Sequence, residues 1–300
     1  MQAVITLVAP VSDRITSSQI SATEDAVATA GPVATQSWLA PDRAVDLTFE
    51  TTEADLDIIR RRTNETLAAE ACDFAVQPLK NRRKRLFLAD MDATLIGQEC
   101  IDELAVVAGI GEHIARITER TMRGEIDFED AMNSRVGLLK GLPEAALGEV
   151  YEQRITLNPG GRTCVRTMAA NGVLTRLVSG GFTFFASRVA EALGFDRATA
   201  NVLEIADSQL TGRIVPPIFG RQGKLDAMTD SCTDLGISAS KVLAVGDGAN
   251  DLAMITAAGL GVAYYAKPVV GAAADARIDH SDLTTLLFFQ GYKADEFVTD

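Results

Sequence analysis

Three short apolar runs constrain the fold of this 300-residue chain more than any other feature. They read LFLAD (86–90), TRLVSGG (175–181) and KVLAVGDG (241–248), and each ends at Gly or Asp. Helical stretches separate them, which is the alternation typical of a parallel sheet in an α/β fold. Because ligands bind such sheets at the carboxyl ends of the strands, we expect the polar residues that end the three runs to share one site.

The remaining segments predict two additions to this sheet. Residues 1–80 form a separate α+β domain, with strands at 4–8 and 45–49 and a helix over 53–71, and residues 81–300 form the second domain. The basic run NRRKR (81–85) is predicted to be a solvated linker between them. Residues from about 99 to 170 have apolar residues at helical spacing. A crossover helix needs only about a dozen residues, so the excess predicts a helical cap over the strand ends.

Composition excludes several classes of function. The net charge of −13 argues against nucleic acid as a partner, because phosphate binding needs a basic surface. The four cysteines are far apart and fit reduced thiols in a reducing compartment. Residues 1–10 lack the basic start of a signal peptide, and the uncharged run 252–266 is shorter than the ~20 residues that span a bilayer. These features predict a cytoplasmic protein without a membrane partner.

Asp90 and Asp92 raise a question of charge, because alternate residues of a strand lie on the same face. Adjacent buried carboxylates repel each other unless a cation compensates. Ser179 and the following glycines can cradle an anion, Lys224 supplies a fixed positive charge, and GDGAND (246–251) adds further carboxylates. Oxygen ligands without His or Cys favour Mg²⁺. This set suits phosphoryl transfer, in which one carboxylate attacks phosphorus and the other donates a proton.

The same residues resemble a known family. Asp90-x-Asp92-x-Thr94, Ser179, Lys224 and GDGAND (246–251) match, in order, the four motifs of the haloacid dehalogenase (HAD) superfamily of phosphohydrolases. Longer stretches, such as DMDATLIGQECIDELA (90–105) and SRVGLLKGL (134–142), resemble the bacterial phosphoserine phosphatases. The resemblance covers about residues 85–293 and implies a HAD-like (Rossmann-like) parallel-sheet core with an inserted helical cap. Many relatives begin with an ACT-type regulatory domain, and residues 1–80 keep a degenerate ACT-like pattern.

The resemblance also implies a role for each matching residue. Asp90 would be the nucleophile and a Mg²⁺ ligand, and Asp92 the general acid/base, with its backbone carbonyl on the metal. The resemblance implies that Asp247, with Asp251, completes the metal site. It implies that the phosphate is bound by Ser179, Gly180, Lys224 and Asn250. It also implies that Glu99 and Arg135 bind the ammonium and the carboxylate of the substrate, and that Met122 and Phe128 form an apolar lid. Met122 and Phe128 are also compatible with core packing. Ala93 stands where these enzymes usually have Ser.

Three functions are compatible with these features. The resemblance implies Mg²⁺-dependent hydrolysis of O-phospho-L-serine through an aspartyl phosphate, which is the last step of L-serine biosynthesis. The same core could instead act on another small phosphomonoester, or transfer the phosphoryl group to an alcohol such as homoserine. A non-catalytic amino-acid sensor is the third reading, and the intact set of Asp90, Asp92, Lys224 and Asp247 disfavours it. The sequence leaves open whether the chain is a monomer or a homodimer.

Overall fold

The structure, a computed structural model, describes residues 1–28, 31–122 and 125–299, and the side chains at positions 121, 122 and 128 lie outside this description. The N-terminal part has the order βαββαβ, a ferredoxin-like arrangement. Its elements are β1 (Gln2–Val8), α1 (Ser17–Val27), β2 (Val33–Ala40), β3 (Ala44–Glu50), α2 (Leu56–Thr66) and β4 (Asp73–Pro78). β1 pairs antiparallel with both β3 and β4, so the strand order is β2-β3-β1-β4.

The sequence pattern predicted β1, β3 and α2 but gave no clear signal for α1 and β2. α1 begins with a capping box, in which Thr16 Oγ1 accepts from the Gln19 backbone and Gln19 Oε1 accepts from the Thr16 backbone. Its buried face includes Gln19 and Thr23 beside Ala26 and Val27. Such a face of small and polar residues produces no apolar periodicity, which explains why the pattern was weak.

The second part of the chain contains the predicted parallel sheet. Its strands are β5 (Leu86–Ala89), β6 (Leu174–Phe182), β7 (Arg197–Ala206), β8 (Gln209–Val215), β9 (Val242–Gly246), β10 (Leu260–Tyr264) and β11 (Ala276–Ile278). The strand order is β11-β10-β9-β5-β6-β7-β8, parallel throughout except for the β7–β8 hairpin. The three predicted runs are the central neighbours β9, β5 and β6. The predicted α/β fold class is confirmed.

The two parts share one sheet. β4 pairs antiparallel with β11, with Ala276 opposite Ala75 and Arg277 opposite Phe74, and the eleven strands of the described residues are therefore continuous. The prediction of a solvated linker at 81–85 is wrong for Arg82 and Lys84, which are only 8% and 4% exposed, whereas Arg83 and Arg85 are exposed. The Lys84 ammonium donates to the carbonyls of Ser240 and Gly259, and Arg82 binds Asp46. Arg82 and Lys84 are buried although their sequence is typical of a linker, because both parts of the chain pack against this segment.

Five helices follow β5 before the chain returns to β6. They are α3 (Cys100–Val107), α4 (Gly111–Met122), α5 (Phe128–Leu138), α6 (Ala145–Arg154) and α7 (Gly161–Ala170). α3 contacts both α4 and α6, and α4 contacts α5, so these four helices form one group, whereas α7 packs against β6 as the crossover helix. The helices of the remaining chain are α8 (Thr183–Leu193), α9 (Arg221–Leu235), α10 (Leu252–Ala257), α11 (Pro268–Ala273) and α12 (Thr285–Phe289).

Two further features concern the cysteine side chains and the lengths and polarity of the helices. Cys72, Cys100, Cys164 and Cys232 are all free thiols with buried side chains. In the described part of the chain, every helix is too short or too polar to cross a lipid bilayer.

Candidate active site

The carboxyl ends of β5, β6 and β9 surround one cavity of about 420 Å³. β5 delivers Asp90, β6 contains Ser179 and Gly180 near its end, and β9 is followed by Asp247. The sequence-predicted residues that line this cavity are Asp90, Asp92, Glu99, Arg135, Gly180, Asp247 and Asn250. Ser179, Lys224 and Asp251 are fully buried beside it. The side chains of Met122 and Phe128 lie outside the described residues.

Lys224 lies at the centre of the charged groups. Lys224 belongs to α9, and its side chain is completely buried. Its Nζ is 2.6 Å from Asp90 Oδ1 and 2.6 Å from Asp251 Oδ1. Burial alone would lower the pKa of a lysine, but the charges of Asp251 and Asp90 outweigh burial and raise the pKa of Lys224. The lysine therefore remains a fixed cation next to Asp90.

Carboxylates outnumber cations around Lys224. Ligand oxygens of Asp90, Asp247 and Asp251 all lie within 4.8 Å of one another. Burial, with the charge of Asp251, raises the pKa of Asp90 well above its ordinary value, although Lys224 opposes the shift. Burial and Asp251 also raise the pKa of Asp247 to about 6. Three crowded oxygen donors around a single ammonium fit a hard divalent cation, which would allow all three to ionise.

Asp92 is placed differently from the strand-based prediction. β5 ends at Ala89, and Asp92 lies in a turn over residues 92–95, so the two carboxylates do not share a strand face. Asp92 Oδ1 accepts from the Cys100 backbone N–H at 3.0 Å, and Oδ2 accepts from Ser179 Oγ at 3.4 Å. Burial raises the pKa of Asp92, while the hydrogen bonds from Cys100 lower it. A raised pKa favours a protonated carboxyl group, which is the form that an acid catalyst requires.

Hydrogen bonds hold this turn and the neighbouring loop from Ser179 to Gly181. Thr94 Oγ1 donates to Asp247 Oδ1 at 3.3 Å, and Asn158 Nδ2 donates to the Thr94 carbonyl. The Gly181 N–H donates to Ser179 Oγ at 2.9 Å. A Cβ at Gly181 would lie 2.5 Å from Asp92 Oδ2, so any side chain at this position would displace the Asp92 carboxyl group. The loop therefore brings a hydroxyl and the Gly180 backbone to the cavity wall.

Glu99 and Arg135 line the cavity from different elements. Glu99 precedes α3, and Arg135 belongs to α5. Burial, followed by the charges of Asp92 and Asp247, raises the pKa of Glu99 to about 8. Burial lowers the pKa of Arg135, while Asp102 and Glu99 raise it. The cavity thus combines an acidic and a basic side chain, Glu99 and Arg135, with the backbone of Gly180 and Gly181.

Sequence reasoning missed two charged residues of the cavity wall, Asp102 and Lys267. Asp102 follows Glu99 by one helical turn, and residues at this spacing lie on one face of a helix. Lys267 follows β10, a parallel strand whose sequence pattern was not recognised. Both signals were available, since the end of every parallel strand in such a sheet is a candidate position.

The fold and this arrangement of charges define an α/β phosphohydrolase. The sequence matches the haloacid dehalogenase-like hydrolase family over residues 87–256. It is 42% identical over 245 residues to a phosphoserine phosphatase of Archaeoglobus fulgidus, covering 81% of this chain and 71% of the relative. A phosphoserine phosphatase of Polaromonas is 45% identical over 218 residues, covering 71% and 92% respectively.

A solved structure extends the similarity to nearly the whole chain. The crystal structure of a HAD family hydrolase from Salmonella enterica superposes with a TM-score of 0.84 at 30% identity, covering 96% of this chain and 99% of that one. The chain therefore belongs to the haloacid dehalogenase-like hydrolases. It is an enzyme that hydrolyses phosphomonoesters, and the two relatives from Archaeoglobus and Polaromonas are named phosphoserine phosphatases.

Proposed function

We propose that the protein hydrolyses O-phospho-L-serine to L-serine and phosphate with Mg²⁺, the last step of L-serine biosynthesis. The observation that carries the proposal is the pair of Glu99 and Arg135, which line the same cavity as Asp90. A zwitterionic amino acid needs one anion for its ammonium and one fork-shaped cation for its carboxylate. The named activity of the relatives supports the same substrate.

In the proposed first step, an Asp90 oxygen attacks phosphorus as the bond from phosphorus to the serine oxygen breaks. The protonated carboxyl group of Asp92 donates its proton to the leaving serine oxygen. Lys224 and the loop from Ser179 to Gly181 hold the phosphoryl oxygens and neutralise part of their charge. These steps leave an aspartyl phosphate on Asp90 and a carboxylate on Asp92.

In the second step, Asp92 accepts a proton from a water molecule that attacks the phosphorus of the aspartyl phosphate. The bond between Asp90 and phosphorus breaks, which regenerates both carboxyl groups. Asp90, Asp247, Asp251 and the Asp92 backbone carbonyl would hold Mg²⁺, which would supply the positive charge that keeps Asp90 ionised. The acidic cluster described above supports this ligand set.

We assign the substrate's ammonium to Glu99 and its carboxylate to Arg135, with Asn250 near the phosphate. An arriving ammonium favours the ionised form of Glu99, whose pKa burial otherwise raises to about 8. Met122 and Phe128 are proposed to close the apolar side. We divide the chain into an ACT-like domain, residues 1–80, and a phosphatase domain, residues 81–300, with the cap at about 99–170.

The experiment is a measurement of phosphate release from a panel of phosphomonoesters, with Mg²⁺ and with EDTA. We expect O-phospho-L-serine to have the highest kcat/KM, well above p-nitrophenyl phosphate and glycerol phosphate, and EDTA to abolish turnover. A comparable kcat/KM for all three substrates would contradict the amino-acid assignment. Formation of a phosphorylated alcohol when homoserine is added would favour phosphoryl transfer, and binding of serine without any turnover would favour a sensor.

A further inference from the structure

Lys267 lies at the wall of the catalytic cavity, and none of the steps above uses it. Its backbone is fixed, because its N–H donates to the Asp247 carbonyl at 3.2 Å and Pro268 begins α11 directly after it. Its side chain is exposed. A fixed backbone with a solvent-exposed ammonium places a positive charge at the entrance of the cavity without burying it.

The charge balance of the cavity wall gives this lysine a use. Five acidic residues line the wall, and its only cations among the described residues are Arg135 and Lys267; the acidic residues are Asp90, Asp92, Glu99, Asp102 and Asp247. Lys224 is buried behind Asp90 and is already paired with two carboxylates. A phosphomonoester carries about two negative charges at neutral pH, so those wall carboxylates that are ionised and not bound to Mg²⁺ repel it on approach.

The two cations of the wall are not equivalent. Arg135 is half-buried, and the charges of Asp102 and Glu99 compensate its own. The Lys267 ammonium acts on Glu99 and Asp247 from a distance, where it partly offsets the effect of burial on the pKa of each carboxyl group. Within the described part of the chain, Lys267 forms no ion pair. Its charge therefore remains available to a ligand at the entrance.

We propose that Lys267 is a substrate-binding residue that attracts the phosphoryl group at the cavity entrance and stays beside it while Lys224 and the Ser179 loop hold it. An exposed cation at the mouth of a cleft raises the encounter rate of anions and stabilises their bound state. The contact is the same before and during the reaction, so it contributes to kcat/KM and leaves kcat nearly unchanged. The inference rests on the phosphomonoester hydrolysis proposed above but not on serine as the leaving group.

The test compares Lys267→Met with Lys267→Arg, and with Lys80→Met as a matched control at an exposed lysine outside the cavity. Kinetics are measured at saturating Mg²⁺ with O-phospho-L-serine and with p-nitrophenyl phosphate, which has no carboxylate. For Lys267→Met we expect kcat/KM to fall about five- to twenty-fold for both substrates, with kcat changing less than about two-fold. Lys267→Arg should recover most of the loss, and Lys80→Met should match the wild type within about two-fold.

Two further measurements do not depend on the leaving group. Binding of inorganic phosphate, measured by calorimetry, should weaken in Lys267→Met by a factor similar to the loss in kcat/KM. Added KCl should lower kcat/KM of the wild type more steeply than that of the variant, because salt screens the exposed charge.

Three outcomes overturn the assignment. An unchanged kcat/KM would show that the lysine does not contact the substrate, and an equal fall in kcat and kcat/KM would place it in the chemical step. A loss confined to O-phospho-L-serine would mean that Lys267 binds the carboxylate. If the wild-type protein hydrolyses p-nitrophenyl phosphate but not O-phospho-L-serine, the proposed function is wrong. The role of Lys267 can still be tested in that case, because the same comparison of variants is made with p-nitrophenyl phosphate.

Discussion

At the scale of single residues, Asp90 and Asp92 are two positions apart but have different surroundings. Asp90 Oδ1 lies 2.6 Å from the Lys224 ammonium, whereas Asp92 accepts hydrogen bonds from the Cys100 N–H and the Ser179 hydroxyl. Burial raises the pKa of both carboxyl groups; the Lys224 cation opposes the shift at Asp90, and hydrogen bonds from neutral donors oppose it at Asp92. A divalent cation at the acidic cluster of Asp90, Asp247 and Asp251 would further favour the ionised form of Asp90. The two surroundings support a nucleophile at Asp90 and a proton donor at Asp92.

The first prediction concerns the nucleophile. Asp90→Asn should lower kcat by at least about a thousand-fold and abolish the phosphoenzyme, because an amide nitrogen cannot form the acyl phosphate. The measurements are phosphate release and the retention of labelled phosphate on acid-quenched protein, with circular dichroism to check the fold. Asp226→Asn, at an exposed position of α9, is the control and should remain active. Substantial turnover by Asp90→Asn would sink the nucleophile assignment.

The second prediction concerns Arg135. Arg135→Ala removes a charge-assisted hydrogen bond worth about 1.5–3 kcal/mol, so kcat/KM for O-phospho-L-serine should fall roughly ten- to a hundred-fold. Hydrolysis of p-nitrophenyl phosphate should change little, since that substrate has no carboxylate. Arg116→Ala, an exposed arginine of α4, controls for the lost charge. Equal losses for both substrates would make Arg135 a structural residue.

The third prediction uses the close approach at Gly181. The methyl group of Gly181→Ala would lie 2.5 Å from Asp92 Oδ2 and 3.1 Å from Ser179 Oγ, so the Asp92 carboxyl group must move. A displacement of about 1 Å at a reacting group can cost on the order of a hundred-fold in kcat, while the melting temperature should fall only slightly. Gly148→Ala in α6, where a Cβ meets no atom within 4 Å, is the matched control. Normal kcat in Gly181→Ala would show that this contact does not position Asp92.

At the scale of elements, Arg82 connects the N-terminal strands to the C-terminal helix. Its guanidinium binds Asp46 of β3 through two bonds of 2.6 and 2.7 Å and donates to Thr6 of β1 at 2.7 Å. It also donates to the carbonyls of Phe288 and Phe289 in α12. A buried guanidinium with its donors satisfied fixes the relative position of three elements.

The fourth prediction follows from this network. Arg82→Met should lower the free energy of unfolding by about 3–5 kcal/mol, because it leaves the buried Asp46 carboxylate without its cation and with only the Thr6 hydroxyl as a side-chain donor. Urea unfolding measures the change. Arg83→Met is the neighbouring control: Arg83 is half-exposed, pairs with Glu296 and stacks on Tyr292, so its loss should cost only about 1 kcal/mol. Adding Asp46→Asn to Arg82→Met should restore part of the stability, and equal losses for the two arginines would contradict the argument.

At the scale of the whole molecule, the helices α3 to α6 lie between β5 and β6 in sequence and carry Glu99 and Arg135 to a site built by strand ends. The cavity wall therefore combines residues from two layers, the strand ends and the helices. Water must hydrolyse the acyl phosphate only after Asp90 has attacked the substrate. If the helices α3 to α6 closed over the bound substrate, they would exclude bulk water until that attack.

The fifth prediction tests this closure. Hydrogen exchange across residues 99–145 should slow when Mg²⁺ and a phosphate-mimicking inhibitor with an amino-acid end are added, as measured by mass spectrometry. Residues 1–80 should change little, because their side chains are absent from the catalytic cavity wall in the described residues. Mg²⁺ alone is the control. Equal protection of residues 99–145 with and without ligand would indicate a rigid helical layer.

The sequence by itself determined the fold class and the neighbourhood of the chemistry. Short apolar runs ending in Asp, Ser or Gly predicted β5, β6 and β9, because a strand buried on both faces must be apolar throughout its length. The carboxyl ends of parallel strands meet at one edge, so Asp90, Ser179 and Asp247 could be placed together without coordinates. Helical spacing likewise predicted the helices between β5 and β6.

Only the tertiary structure decided what depends on contacts between distant residues. The turn that holds Asp92 depends on the Cys100 backbone and on Ser179, and neither contact leaves a periodic signal in the sequence. Arg82 and Lys84 belong to a run whose composition predicts solvent exposure, yet both are buried. The partner of Arg82 is Asp46, 36 residues away, on a strand next to β1. Local sequence patterns indicate which face of an element is buried. The pairing of β4 with β11 joins the two parts of the chain, and charged groups such as Arg82 and Asp46 are buried between these parts.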